Sequence, residues 1–158
     1  MALVAASDPT NAHLREAVRR LAPVLPLLTE LGSRFHDAGH EIALVGGPVR
    51  DAFLGRVSPD LDCATSARPE KTEAILAGWA EAHWDVGRAF GTIGARKGSH
   101  VLEVTTYRAD AYDRTSRKPK VAFGDNLLDD LLRRDFAVNA MAMRLPSMEF
   151  VDPHGGLA

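Results

Sequence analysis

Residues 42–65 read IALVGGPVRDAFLGRVSPDLDCAT, and the order of residue types in this stretch decides how the rest of the chain is read. Four consecutive apolar residues, Ile42 to Val45, have the length of a buried strand, and Gly46-Gly47 ends the run. Val49, Phe53 and Leu54 then take up helical spacing, so the stretch predicts strand, glycine turn, helix. Backbone N–H groups at such a turn approach an anion closely, and the helix N-terminus adds the positive end of its dipole. Arg50, on the first turn, offers a forked charge to the same anion, while Asp51 either orients Arg50 or caps the helix. Taken alone, a Gly-Gly turn is also an ordinary strand-to-helix connection. It is neither a GxGxxG fingerprint nor a GxxxxGK[ST] loop, so dinucleotide binding and P-loop hydrolysis lose support.

After Ser58-Pro59 the segment Asp60-Leu61-Asp62-Cys63-Ala64 has the length of a short strand. Side chains two apart on a strand share a face, so Asp60 and Asp62 present two carboxylates about 7 Å apart, with Leu61 and Cys63 turned to the core. Magnesium prefers hard oxygen ligands and commonly takes one or two protein carboxylates plus substrate phosphates, which is this pair beside a phosphate-binding turn. The competing reading is a solvated Asp-x-Asp turn after Pro59.

Working outward, the upstream residues Leu14, Val18, Leu21, Leu25, Leu28, Leu31 and Phe35 recur at helical spacing, broken by Pro23 and Pro26 into two short helices. Downstream, a helix is predicted from about Pro69 to Ala80. Trp84–Val86, Thr92–Ala95 and Val101–Tyr107 read as consecutive strands, with Lys97–His100 as a hairpin connection between the last two. Glu103 stands alone among Val101, Leu102, Val104 and Thr105. If its face meets Asp60 and Asp62, it completes a three-carboxylate, two-metal site; otherwise it lies on an exposed strand face.

Residues 109–121 lack periodicity and read as an exposed loop. Arg108, Arg114, Arg117, Lys118 and Lys120 outnumber Asp110 and Asp113 there, a local positive charge suited to a nucleotide or an RNA backbone, or simply a solvated surface. Leu127 through Met141 returns to helical spacing, interrupted near Arg133-Arg134-Asp135. On a helix over 135–142, Asp135 and Asn139 share a polar face fit for ribose hydroxyls, with Arg134 near a phosphate and Phe136, Ala140 and Met143 as the buried stripe. Tyr107 and Tyr112 border the loop and read as packing or as base-stacking residues, and Trp79 and Trp84 as core or helix-packing residues. The chain reaches VDPHGGLA with no further element in view.

The 158 residues carry a formal charge of −2 and 46% hydrophobic content. This is enough for one buried core, and it excludes a global basic field. Cys63 is the one cysteine, so neither an intramolecular disulfide nor a thiolate cluster forms, which suits a cytoplasmic protein. The N-terminus has no basic signal region or membrane-length span. The histidines show no HExxH spacing and no Gly-x-Ser-x-Gly elbow occurs, so zinc hydrolysis and acyl transfer fit poorly.

Three ordered motifs together, LVGGPVRDAFLGRVSPDLDCAT, LEVTTYR and DLLRRDFAVNAMAM, resemble the class II tRNA nucleotidyltransferases (CCA-adding enzymes) and the related bacterial poly(A) polymerases over about residues 40–156. The resemblance implies an α+β, polymerase β-like nucleotidyltransferase head, with a mixed, largely antiparallel sheet flanked by helices. Residues 1–39 would be an N-terminal helical segment packed on it, and 40–158 the head itself, ending before the family's helical neck, body and tail domains. It further implies Asp60 and Asp62 as ligands of Mg²⁺ in a two-metal site, Glu103 as the third carboxylate, and Gly46, Gly47 and Arg50 as triphosphate contacts. Arg134, Asp135 and Asn139 would be nucleotide contacts, and Arg114, Arg117, Lys118 and Lys120 part of the family's flexible loop.

The implied reaction is addition of nucleotides from CTP and ATP to a tRNA 3′ end with release of pyrophosphate. Poly(A) synthesis is the alternative, as is a nucleotide- or metal-binding module without turnover. Ala137 departs from the threonine usual in the family, and the base-selecting motif belongs to a following helical domain.

Overall fold

The structure, a computed structural model, describes residues 9–53, 60–109, 122–134 and 140–153. Helices α1 (Pro9–Arg20) and α2 (Leu25–Asp37) open it, separated by a 3₁₀ turn at Ala22–Val24. Pro23 and Pro26 cause the break. Each lacks an N–H and sits in the first turn of the element that follows, where the ring is tolerated. Then come β1 (Ile42–Val45), α3 (Gly47–Phe53), β2 (Asp60–Thr65), α4 (Pro69–Ala77), β3 (Ala82–Gly87), β4 (Thr92–Lys97) and β5 (His100–Thr106). The short strands β6 (Arg108–Ala109) and β7 (Ala122–Phe123) pair with each other, and α5 (Leu127–Leu132), β8 (Ala142–Leu145) and β9 (Glu149–Val151) follow.

The main sheet has the order β3-β4-β5-β2-β1-β8-β9 among the described residues. β2 and β5 run parallel and the other neighbours antiparallel, so the fold is α+β with a mixed, largely antiparallel sheet. β1 lies inside this sheet with all four residues buried, which is why its sequence is continuously apolar rather than alternating. Gly98, with φ of 61°, opens the two-residue turn between the paired Lys97 and His100. This is the glycine position of a tight hairpin.

The two faces of the sheet have different fates. On one, Leu44, Leu61, Ile93, Leu102 and Met143 pack with Leu28, Leu31 and Phe35 of α2 and Leu76 of α4 in one buried cluster. On the other, Ala43, Val45, Ala64 and Ala142 form a smaller cluster with Leu127 and Leu131 of α5 and with Tyr107. That cover reaches only the β1 side; farther along the same face, Asp60, Asp62, Glu103 and Trp84 are exposed.

Several expectations are corrected. The described part of the helix read from Leu127 ends at Leu132, and residues 135–139 of the helix expected over 135–142 lie outside the described residues. Ala142–Leu145 is a strand, and Met143 pairs with Leu44 rather than joining a helical stripe. A strand not expected from the sequence, β9, pairs with β8 and ends at Val151, and residues 154–158 lie outside the described residues. Short apolar runs serve helix and strand alike, and here an open edge of β1 decides. Arg108-Ala109, read as the start of a loop, is paired with Ala122-Phe123. Trp79 is buried as expected, but Trp84 is 40% exposed, and Tyr107 is packing, fully buried with its hydroxyl 3.3 Å from Glu41 Oε1.

The seat of α2 on the sheet is tight. A Cβ placed on Gly32 would lie 2.7 Å from Pro146 N and 2.8 Å from Leu145 Cβ. Gly32→Ala is therefore expected to destabilise the fold. Overpacking costs about 1–3 kcal/mol and outweighs the helix-propensity gain of up to about 1 kcal/mol. A urea midpoint equal to or above wild type would contradict this packing.

Candidate active site

The carboxylates are brought together by strand register. In the parallel β2–β5 pair, Asp62 lies opposite Glu103 and Asp60 opposite Val101, while Leu61 and Leu102 face each other on the buried side. All three acids are exposed on one face of two neighbouring strands. Asp62 remains open to solvent at the mouth of a cleft, but protein crowds its carboxyl. This partial burial, followed by the charges of Glu103 and Asp60, pushes Asp62 above the ordinary aspartate range, and Arg134 opposes the shift. Burial raises the Cys63 thiol far above neutrality, so it offers no thiolate.

Among the described residues no three acidic, histidine or cysteine side chains converge into a ready-made cation cage. A hard divalent ion that completes its shell with phosphate oxygens and water needs only one or two protein carboxylates. Asp60 and Asp62, two carboxylates on one strand face beside the glycine turn, fit that mode.

The cleft, of about 470 Å³, is walled by Val45, Gly46, Gly47, Asp62, Cys63, Thr105, Arg108, Arg133 and Arg134. Gly46 has φ of 67°, a left-handed turn that favours glycine. Its N–H donates to the Met141 carbonyl at 3.3 Å, and its own carbonyl accepts from Arg50 N at 3.0 Å, closing the first turn of α3. What Gly46 gives the cleft is therefore an open wall: a Cβ there would lie 3.8 Å from Arg134 Nη1.

The opposite wall is held by one buried acid. Asp130, 1% exposed, accepts from Arg134 Nη2 at 2.9 Å and Nε at 3.2 Å, from Arg133 Nη2 at 3.2 Å, and from the Arg108 backbone N–H at 2.9 Å. Asn126 caps α5 beneath it, accepting from Leu128 N at 2.8 Å. Burial, then the neighbouring charge of Arg133, holds the Arg108 guanidinium below the usual arginine range. The Nε–H groups of Arg108 and Arg133 are buried without an acceptor among the described residues. Two guanidiniums share one buried carboxylate, and the third, Arg108, donates its Nη2 to the Phe90 carbonyl at 2.9 Å; this leaves surplus positive charge and unanswered donors, a setting for an anion with several oxygens.

Of the residues expected from sequence, Gly46, Gly47, Asp62 and Arg134 thus line one cleft. Asp60 and Glu103 stand beside it on the same face, outside its wall. Arg50 also lies outside the wall. Its Nη2 would be 3.6 Å from a Cβ on Gly47, and its Nε donates to Asp51 Oδ1 at 3.4 Å. Asp135, Ala137, Asn139, Tyr112, Arg114, Arg117, Lys118 and Lys120 lie outside the described residues. Sequence reading missed Asp130, counted Arg108 with the loop and gave Arg133 no role at the site. The signal was available: Asp130 precedes Arg133 and Arg134 by three and four positions, the helical spacing at which side chains meet.

Asp130→Ala should destabilise the protein by roughly 3–5 kcal/mol, because it strands buried cations. Asp130→Asn, which keeps an acceptor for the Arg108 N–H, should cost less, about 1–3 kcal/mol. Urea unfolding measures both, and an Asp130→Ala midpoint equal to wild type would remove the acid from this role. At Asp62 the sign is reversed. Its folded-state pKa lies above 3.8, so its contribution to stability is present below that pH and is lost as the pH rises through the raised value. Asp62→Asn should therefore raise the melting temperature at pH 7, with the gain shrinking as pH falls toward 4; a lower melting temperature at pH 7 contradicts it.

The sequence model of the family described as Poly A polymerase head domain matches residues 42–158. The chain is similar to the CCA-adding enzyme of Bacillus pumilus, 41% identical over 133 residues, covering 84% of this chain and 31% of that protein. Among solved structures it resembles the Bacillus stearothermophilus CCA-adding enzyme in complex with CTP, with TM-score 0.69, 35% identity, and coverage of 87% of this chain and 30% of that one. It also resembles a tRNA nucleotidyltransferase complexed with a primer tRNA and an incoming ATP analog, with TM-score 0.62, 29% identity, and coverage of 80% and 35%. The chain spans about a third of the length of these relatives. The family match takes in the glycine turn, the three carboxylates and the arginine cluster, and on it the chain belongs to the Poly A polymerase head domain family.

Proposed function

We propose that this chain is the catalytic head of a template-independent RNA nucleotidyltransferase that adds nucleotides from CTP and ATP to the 3′ end of tRNA in the cytoplasm. The observation that carries the reading is the junction of two opposite charge patterns at one point: the Asp60, Asp62 and Glu103 face meets an arginine-walled, glycine-floored cleft at Asp62. The names of similar proteins supply the substrates: a CCA-adding enzyme bound to CTP, and a tRNA nucleotidyltransferase bound to primer tRNA and an ATP analog.

In this reading the nucleotide triphosphate lies in the cleft. Arg134, Arg133 and Arg108 take its oxygens, and Gly46-Gly47 lets it approach the backbone. The RNA 3′-oxygen attacks the α-phosphorus, the bond to the β-phosphate breaks, and pyrophosphate leaves with the electron pair. Asp60 and Asp62 would hold Mg²⁺, which would supply Lewis-acid charge to ease loss of the hydroxyl proton to solvent and to offset charge on the phosphates. Glu103, paired with Asp62 on the neighbouring strand, would add a third negative charge beside such an ion. Asp130 fixes the arginines before substrate arrives, so that most of the rate gain comes from positioning and preset charge.

Poly(A) synthesis is the second reading, favoured by the family's own description. Incubating the intact protein with tRNA lacking its 3′ CCA, together with Mg²⁺, CTP and ATP, separates the two. Addition of two C residues and one A supports the first, and long A tails without C support the second. Asp60→Ala and Asp62→Ala should each lower transfer by about 10²–10³-fold or more, and chelation of divalent ions should abolish it. Undiminished transfer in either variant would overturn the assignment of the acids.

A further inference from the structure

The row of residues that carries the acids continues beyond them. Asp62 pairs with Glu103, Glu103 with Gly94 of β4, and Gly94 with Trp84 of β3. Directly paired residues point to the same face, so these four residues form one line across four strands on the exposed side. Thr92 and Thr105, two residues along each strand, share this face, their hydroxyls 2.9 Å apart. The indole of Trp84 does not stand upright at the sheet edge. A Cβ on Gly94 would be 2.4 Å from Nε1 and 2.6 Å from Cε2, so the ring lies across the glycine, leaning toward Glu103. It is nevertheless 40% exposed.

We infer that Trp84 is a stacking platform for the terminal base of the RNA acceptor strand, an inference that rests on the proposed transfer reaction. The geometry distinguishes acceptor from incoming nucleotide. The arginine cleft is lined by Val45 of β1, Asp62 and Cys63 of β2, Thr105 of β5 and the three arginines, whereas the indole lies outside it, over Gly94 of β4 and beyond Glu103. Strand spacing puts the Trp84 backbone about 10 Å from that of Glu103, and the ring itself bridges part of the gap. This is the reach of one nucleotide, with its base on the indole and its 3′-hydroxyl at the carboxylates. No cation sits in the row itself, which suits the π-face of an unpaired base rather than a phosphate. Gly94 is required because any side chain there would lift the ring.

The bland role for Trp84 is to cover Gly94, as aromatic residues do across strands, and the test separates the two. In the intact protein, Trp84→Ala and Trp84→Leu should each raise the KM for the tRNA acceptor about tenfold, the scale of one lost base stack. The KM values for CTP and ATP should be unchanged. Trp84→Phe should stay within about twofold of wild type, and Gly94→Ala should behave like Trp84→Ala. The same ranking is expected for direct binding of an RNA hairpin with a two-nucleotide unpaired 3′ end, which needs no turnover. Leu behaving as wild type in both assays, or equal rises in the nucleotide and acceptor KM values, would overturn the inference and leave the transfer reaction standing. Absent transfer in the wild type, with hairpin binding still weakened by Ala and Leu, would overturn the transfer reading and keep the platform.

Discussion

Six consecutive pairings between β2 and β5 run parallel, and this register sets Asp62 against Glu103. A shift of one residue would turn one acid into the core, where an unpaired carboxylate is costly. The choice is enforced from below. Leu61, Cys63, Leu102 and Val104 are all buried on the opposite face, in the cluster shared with α2 and α4. The hydrophobic face therefore fixes the position of the polar one, and like charges are held side by side although their mutual interaction is unfavourable.

That local cost has a counterpart across the cleft. Buried Asp130 pairs with the guanidiniums of Arg133 and Arg134 at the end of α5 and holds the backbone of Arg108 beside them. Acids crowded on one side and guanidiniums on the other, within one small domain, are each less stable than a neutral surface would be. In the proposed reading they serve a charged ligand pair, an anion with many oxygens and a cation beside the acids. The trade of stability for preset charge is common where function depends on electrostatics.

How legible these features were differs by element. The proline-broken helices, β1, the glycine turn and the alternation in β2 rest on local chemistry, and they appear in the structure where their residues place them. β8 and β9 were hidden, because AMRL and EFV have no local preference strong enough to announce a strand; their pairing partners lie about a hundred residues upstream or across a turn. Asp130 was hidden because two acids in a first helical turn read as ordinary dipole compensation. Trp84 was read as core because tryptophan usually is, and nothing in its neighbourhood reveals that an edge strand carries it onto an open face.

By itself the sequence determined which residues were available for chemistry: two acids at strand spacing, a third on another strand, a glycine turn and an Arg-Arg pair. Periodicity is a property of the backbone, so it survives without any knowledge of contacts. Only the tertiary structure decided which of them meet. Pairing between strands forty residues apart aligned Asp62 with Glu103, the burial of Asp130 drew Arg108 into the same wall as Arg133 and Arg134, and the β3–β4–β5 meander carried Trp84 into line with the acids. Those are long-range choices made by a common core, and no window of the sequence contains both partners.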